Sequence, residues 1–138
     1  MANLSVDGLD GLALSLADLA ELPDAVLDEM LLAEGRVIQA AQKQSGEAYH
    51  IRRTGKMLAA IAPAKVRKTS GGRSLSVYAQ GQHGRGKPSA MVAFLNEYGR
   101  KGQSPRPFIR DANEQSAGKA VDAAEAVYDN YLQSKGLK

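Results

Sequence analysis

The sequence predicts an α+β fold with a long N-terminal helix, a small antiparallel β-sheet containing a hairpin, a short helix and a long C-terminal helix. Apolar residues recur with a helical period in the first third and the last quarter of the chain. In the middle they alternate with polar residues on both sides of a glycine pair. With 138 residues, the chain is expected to form a single domain, 1–138, in which residues 1–22 are a loosely packed N-terminal segment.

Two helical signals open the chain. Ser15–Asp18 has the pattern of a small capping box and predicts a short helix over Leu16–Leu22. Pro23 suits the first turn of a second, longer helix. The apolar stripe of this longer helix consists of Val26, Leu27, Met30, Leu31, Val37, Ile38 and Ala41. Gly35 is predicted to weaken the helix interior, and Gly46 is a candidate for its end.

The middle of the chain predicts a β-hairpin with strands over Ile61–Thr69 and Arg73–Gln80. Gly71 and Gly72 lie between these strands and can supply the positive φ angles that a hairpin turn needs. Pro63 favours an edge position or the start of a strand. In the first strand Ala62, Ala64 and Val66 are predicted to face one way and Lys65 and Arg67 the other. In the second strand the apolar residues Leu75, Val77 and Ala79 alternate with Ser74, Ser76 and Tyr78.

The last part of the chain predicts a glycine-rich basic loop followed by two helices. The loop covers Gly81–Pro88, and the short helix covers Ser89–Tyr98, with Gly99 at the position of a C-terminal cap. A long helix is predicted from Pro107 to Ser134, and Gly136 would stop it. Its stripe consists of Ile109, Ala112, Ala117, Val121, Ala124, Val127, Tyr128, Tyr131 and Leu132.

Charge is strongly segregated along the chain, although the formal net charge is only +3. Met1–Gly35 contains eight acidic residues and no Lys or Arg, whereas Arg36–Arg110 contains fifteen basic residues and two acidic ones. The ends can therefore fold over the middle, or the acidic face of one subunit can meet the basic face of the next. Solvated faces of opposite sign are the alternative. The predicted contact joins Asp24, Asp28 or Glu29 of one subunit to Arg52, Arg53, Lys65 or Arg67 of its neighbour.

The residue types give little support to enzymatic chemistry. The chain has no cysteine, and its two histidines, His50 and His83, cannot hold a metal on their own. Gly81–Lys87 has the spacing of a phosphate-binding loop, but Pro88 stands where that loop needs a hydroxyl for Mg²⁺. We therefore expect no enzymatic activity, no cofactor and no metal. No apolar run approaches the roughly 20 residues of a membrane span, so no membrane partner is expected.

The basic middle of the chain also favours an alternative function, a small nucleic-acid-binding domain. A dedicated binder would usually add aromatic stacking or a recognition helix. Tyr49 and Tyr78 are the only aromatic residues near the basic ones in the sequence. The residues expected to contact DNA phosphates are Arg85, Lys87, Arg100 and Lys101.

The most distinctive motif lies within Val92–Ala112. The aromatic-apolar pair Phe94-Leu95 precedes Glu97-Tyr98-Gly99, which is followed by a short basic loop and then Arg106-Pro107-Phe108-Ile109-Arg110. A weaker motif upstream covers Thr54–Ile61, TGKMLAAI. The order and spacing resemble those of the gene-product-ten-like family of long-tailed phages (siphophages), whose members are head–tail joining, minor tail or neck proteins that complete or cap the tail.

The resemblance implies a structural protein of a phage or prophage, assembled in the host cytoplasm and located in the virion at the head–tail junction. Both tail completion and tail termination fit the motif. The implied partners are copies of the chain in a ring, a hexamer in this family, the head connector or stopper, and tail-tube or tail-terminator proteins. Loose contact with DNA in the neck channel fits the same function. The motif candidates for a subunit interface are Glu97, Tyr98, Gly99, Arg106, Pro107, Phe108 and Arg110.

Within the motif, Phe108 and Ile109 are expected to anchor the final helix to the core. Arg106 and Arg110 are expected either to pair with Glu97, within or between subunits, or to be exposed.

Overall fold

Two long antiparallel helices, α1 (Asp24–Ala48) and α4 (Phe108–Ser134), form the most extensive packing in the computed structural model. The structure describes residues 4–6, 22–51, 55–70, 72–83 and 86–136. The Gln42 Nε2 group, near the end of α1, donates a 3.0 Å hydrogen bond to Asn113 Oδ1, near the start of α4, which fixes the antiparallel direction. The shorter helices are α2 (Lys56–Ala59) and α3 (Ser89–Tyr98). The predicted α+β class and order of elements are confirmed.

Helix α1 begins directly after Pro23, which is the N-cap residue rather than part of the first turn. The Pro23 carbonyl accepts hydrogen bonds from the amides of Val26 and Leu27 (3.0 and 3.2 Å). The carboxylate of Asp24 lies in the first turn, where it complements the helix dipole.

Two glycines inside α1 allow other elements to approach its backbone. A Cβ atom at Gly35 would lie 2.9 Å from Leu75 Cδ2, and one at Gly46 would lie 2.4 Å from Leu58 Cδ2. The prediction that Gly46 ends the helix is therefore wrong, because this glycine is a buried packing position within the last turns. The cost of Gly35 in helix propensity is offset by close packing between the helix and the strand that carries Leu75.

The buried line of α4 is made of small residues four positions apart. Ala112, Ser116, Ala120 and Ala124 are at most 4% exposed, whereas Val121, Val127, Tyr128, Tyr131 and Leu132 of the predicted stripe are only half-buried. The small side chains of the buried alanines and Ser116 let α4 lie close to α1. The buried residues of α1 include the larger Leu27, Met30, Leu31 and Ile38. The predicted stripe was therefore partly out of phase.

The predicted hairpin is present, but it is divided into two ladders. Strand β2 (Ile61–Pro63) pairs antiparallel with β5 (Val77–Ala79), and β3 (Arg67–Thr69) pairs antiparallel with β4 (Gly72–Leu75). The first ladder ends at the pair Pro63 and Val77, and the second begins at the pair Arg67 and Ser74. Between these pairs the first arm has three residues, 64–66, and the second arm has two, 75–76. The first arm thus contains one extra residue, as in a β-bulge.

This extra residue changes which side chains of the first arm face the core. Ile61 is 1% exposed and lies opposite buried Ala79, while Ala62 lies opposite exposed Tyr78. Val66, beyond the extra residue, packs against the core. The prediction that Ala62 and Val66 face the same way is therefore wrong, because a one-residue offset exchanges the two faces of a strand. The second arm follows the prediction, since its alternate residues Leu75, Val77 and Ala79 are buried.

Three further strands are short. Strand β1 (Leu4–Val6), which the sequence analysis did not predict, pairs parallel with β4 to give the order β1-β4-β3. Strands β6 (Gln82–His83) and β7 (Lys87–Pro88) form a small hairpin within the segment predicted to be a loop. The predicted helix Leu16–Leu22 falls almost entirely within residues 7–21, which lie outside the described residues.

Candidate functional site

Glu97, in the last turn of α3, caps the N-terminus of α4. The residue is 8% exposed, and its carboxylate accepts hydrogen bonds from the amides of Ile109 (2.7 Å) and Arg110 (3.3 Å). These amides belong to the first turn of α4, where backbone donors have no partner within the helix. The negative charge also stands at the positive end of the helix dipole. Glu97 thus joins the two halves of the sequence motif.

Of the two alternatives predicted for the motif arginines, pairing with Glu97 or exposure, Arg110 follows the second. The side chain of Arg110 is 66% exposed, and its Nε lies 3.7 Å from Asp111 Oδ1. The backbone amide of Arg106 donates a 2.7 Å hydrogen bond to the Asn96 carbonyl. Within the described part of the chain, neither guanidinium forms an ion pair with Glu97. The hydrogen bonds to the Glu97 carboxylate come instead from backbone amides of α4.

Phe108, the first residue of α4, is fully buried, which confirms its predicted role as an anchor. Pro107, with φ −77° and ψ 62°, precedes it as the N-cap residue. Ile109 is half-buried against the core. The ring of Phe108 and the carboxylate of Glu97 therefore fix the start of α4 from two sides.

Gly99 makes the sharp turn between α3 and the loop that leads to α4. Its amide donates to the Leu95 carbonyl (2.9 Å), and its φ of 78° confirms the predicted positive-φ cap. Its ψ of 178°, however, differs from the left-handed helical value that Asn also tolerates. A Cβ atom there would lie 2.8 Å from both Gln103 O and Pro105 N. The site therefore demands glycine.

Four large apolar side chains form an exposed surface that we call the aromatic ridge. Met91, Phe94 and Tyr98 lie on α3 and are 51%, 59% and 67% exposed, and Tyr78 on β5 is 45% exposed. The Phe94 and Tyr98 rings pack against each other with their centroids 4.8 Å apart and their planes tilted by 47°. A groove of about 500 Å³ runs beside Tyr78, Phe94 and Tyr98 and reaches α4. Contiguous exposed apolar surface of this kind is typical of an interaction site.

A second depression, of about 400 Å³, lies on the other side of α3, and we call it the basic cleft. Its polar rim contains His50, Lys87, Arg100 and Arg106. Two of the predicted DNA-contacting residues, Lys87 and Arg100, therefore lie together, and Lys101 follows on an exposed turn. The fourth, Arg85, lies outside the described residues.

The predicted acidic contact residues are partly engaged within the chain. Asp28 accepts hydrogen bonds from the Arg73 guanidinium through both oxygens, with 2.8 Å between Arg73 Nη2 and Asp28 Oδ2. Asp24 Oδ2 lies 3.7 Å from Arg73 Nη1. Glu29 is exposed, while Arg52 and Arg53 lie outside the described residues. The contact between subunits remains a prediction, and Arg73 is a partner that the sequence analysis did not single out.

Four buried polar side chains have no counterpart in the sequence predictions: Glu34 and Gln42 on α1, and Asn113 and Ser116 on α4. Among the described residues, neither oxygen of Glu34 has a hydrogen-bond partner, and the same holds for Gln42 Oε1 and Ser116 Oγ. Burial raises the pKa of the Glu34 carboxyl from 4.5 to about 7. Its helical spacing from Met30, Leu31 and Ile38 was the signal that could have revealed it.

The described residues contain no group of three or more His, Asp or Glu side chains placed to hold a metal ion. Lys87 lies opposite His83 in the β6–β7 ladder, so the segment with phosphate-loop spacing is a small hairpin. In the parts of the chain that the structure describes, every helix is too short or too polar to cross a membrane. A scan against protein-family models and searches of curated proteins and of solved structures each returned no match.

Glu97→Ala is expected to lower the free energy of unfolding by about 1–2 kcal/mol, because two amides at the start of α4 lose their acceptor. Glu97→Gln should cost less, since its single amide oxygen can still accept from Ile109, although the charge and the acceptor for Arg110 are lost. Urea unfolding measures both changes. Glu125→Ala, at an exposed position of α4, is the control and should change stability by less than about 0.5 kcal/mol. Equal midpoints for Glu97→Ala and the control would contradict the capping role.

Proposed function

We propose that this chain is a structural virion protein of a tailed phage or prophage. In this proposal it is a tail-completion or tail-terminator component that forms a ring of identical subunits at the head–tail junction. It has no catalytic role, and its function is to bind neighbouring subunits and proteins of the connector and tail. The support comes from the motif of Glu97–Gly99 and Arg106–Arg110, together with the surface that this motif presents.

The observation that best supports the proposal is that the motif contains both an exposed pair of aromatic rings and the Glu97 contact that joins α3 to α4 beneath them. The Glu97 carboxylate accepts a hydrogen bond from the first turn of α4, and the ring of the next residue, Tyr98, packs against Phe94 at the surface. Aromatic side chains at the centre of an interface often contribute about 2 kcal/mol or more each to binding. A residue set that serves only the core would not leave these two rings more than half exposed.

A ring of identical subunits needs two different faces that fit each other. The aromatic ridge supplies one of them in this proposal. The exposed cations Arg100 and Lys101, in the turn after α3, would then be available for DNA phosphates in the channel. Such contacts are independent of base sequence and weaken with salt.

The test is to locate the protein and to disable the ridge. Antibody–gold labelling of released phage particles should mark the head–tail junction, and a label on the capsid shell or tail tip would contradict the proposal. The double variant Phe94→Ser, Tyr98→Ser should keep the melting temperature of the wild type, because both rings are exposed, but should fail to join heads to tails. Tyr131→Ser, on a half-buried ring far along α4, is the matched control and should still join them. Salt-dependent binding of duplex DNA by the isolated monomer, without any label on virions, would favour the nucleic-acid-binding alternative.

A further inference from the structure

The basic cleft groups several cations without opposing carboxylates. Lys87 comes from β7, while Arg100 and Arg106 come from the loop after α3. Among the described residues that line the cleft there is no Asp or Glu, and none of these three cations forms an ion pair with another described residue. Like charges around one depression repel each other, so binding an anionic group there is favourable.

The floor of the cleft is aliphatic. Met57 and Leu58 of α2 line it together with Val92 and Leu95 of α3, and the half-exposed Met91 stands at its edge. Met57 and Leu58 are already buried by the chain, whereas Val92 and Leu95 are only half-buried. A purely anionic group would leave Val92, Leu95 and Met91 in contact with water, so a fitting ligand brings apolar side chains as well as negative charge.

His50 lies at the rim in a backbone conformation that glycine adopts more easily. Its φ is 60°, the only positive value among the described residues other than glycine. It follows the end of α1, where the Ile51 amide donates to the Gly46 carbonyl (2.9 Å) in a closure that usually places glycine at this position. Histidine tolerates the conformation at some cost, and its imidazole is thereby brought to the cleft.

We propose that the basic cleft binds a short, acidic, leucine-rich peptide segment of a partner protein. The carboxylates of the segment would meet Lys87, Arg100 and Arg106, and its leucine side chains would cover the aliphatic floor. Nucleic acid fits less well, because none of the described residues that line the cleft is a Phe, Tyr or Trp that could stack on a base, and phosphates would leave its apolar side chains uncovered. The cleft shares Met91 with the aromatic ridge, but its other residues lie outside the ridge. Peptide binding in the cleft therefore does not depend on which assembly the chain joins.

A fluorescein-labelled peptide with the sequence of residues 8–22, GLDGLALSLADLAEL, has this chemistry, with six leucines, three acidic residues and no Lys or Arg. Fluorescence anisotropy with the full chain at low salt should show saturable binding. Arg100→Glu should weaken it about tenfold, because an attraction becomes a repulsion. Met91→Gln should also weaken it. Lys119→Glu makes the same charge change at an exposed position of α4 outside the cleft and should have an effect below about twofold.

Several results would overturn the proposal. One is the absence of saturable binding to the wild-type chain. Another is an equal loss in Arg100→Glu and Lys119→Glu, which would mean that only net charge matters. Equal affinity for a peptide carrying Asp10→Asn, Asp18→Asn and Glu21→Gln would exclude a role for the carboxylates. Tighter binding of a labelled DNA duplex than of the peptide, lost in Arg100→Glu, would assign the cleft to nucleic acid.

Discussion

Glu34→Gln is expected to stabilise the protein at pH 8 and to remove most of the pH dependence of its stability between pH 5 and 8. The Glu34 side chain is fully buried, and its oxygens have no hydrogen-bond partner among the described residues. Burial raises its pKa from 4.5 to about 7, because the charged form is poorly solvated there. Glutamine has nearly the same shape and does not ionise in this range.

The direction of the pH effect follows from the two pKa values of Glu34. The folded chain keeps the proton up to about pH 7, whereas the unfolded chain releases it near pH 4.5. The stabilisation is therefore fully present below about pH 4.5 and is lost as the pH rises through 7. The difference between these pKa values corresponds to a loss of about 3 kcal/mol at most.

Urea unfolding at pH 5 and pH 8 measures the Glu34 effect. The wild-type chain should be less stable at pH 8, whereas Glu34→Gln should be nearly equally stable at both values. Glu125→Gln, at an exposed position of α4, is the control and should keep the wild-type difference. If Glu34→Gln also kept that difference, the buried carboxyl could not be its source.

Gly99→Ala should lower the free energy of unfolding by about 2–3 kcal/mol, since its backbone angles belong to a region that is essentially restricted to glycine. The new Cβ would also lie 2.8 Å from two backbone atoms, at Gln103 and Pro105, so the loop would have to move. That movement would shift the start of α4 away from the Glu97 carboxylate. Gly99→Asn should be nearly as harmful, which distinguishes this turn from an ordinary left-handed cap.

Gly102→Ala is the matched control for Gly99. Gly102 also has a positive φ, 83°, but a Cβ there would meet no atom within 4 Å. Only backbone strain remains in this variant, and a loss of about 1–2 kcal/mol is expected. Thermal melts of the two variants separate strain from steric conflict. Equal melting temperatures would argue against the close contact at Gly99.

Local patterns in the sequence were sufficient to predict the position of an element wherever its bounds are set by its own residues. The bounds of α3 and α4 follow from helical periodicity between Pro88, Gly99, Pro107 and Gly136, and the predicted and observed ranges nearly coincide. The hairpin position likewise follows from alternation on both sides of a glycine pair. The motif around Glu97 was singled out by its family resemblance, but the contact that its carboxylate makes was not predicted. Its carboxylate accepts from backbone amides twelve and thirteen residues away, and backbone donors leave no signature in side-chain pattern.

The features that were missed depend on distant parts of the chain. Strand β1 has three residues and pairs with a strand about seventy positions later, beyond the reach of local periodicity. Arg73 meets Asp28 only because the sheet packs against α1. Gly46 was predicted to end α1, because the packing of Leu58 against it, which explains the glycine, is not visible in the sequence. The extra residue in the first arm of the hairpin becomes visible only when both ladders are paired.

The Glu97 cap also has a mechanical consequence. Because this carboxylate joins the last turn of α3 to the first turn of α4, the two helices keep a fixed angle at the ridge. Helix α4 has 27 residues and extends about 40 Å from that joint. A force applied at Phe94 and Tyr98 is therefore transmitted through this joint to the start of α4 and along the packed pair of α1 and α4.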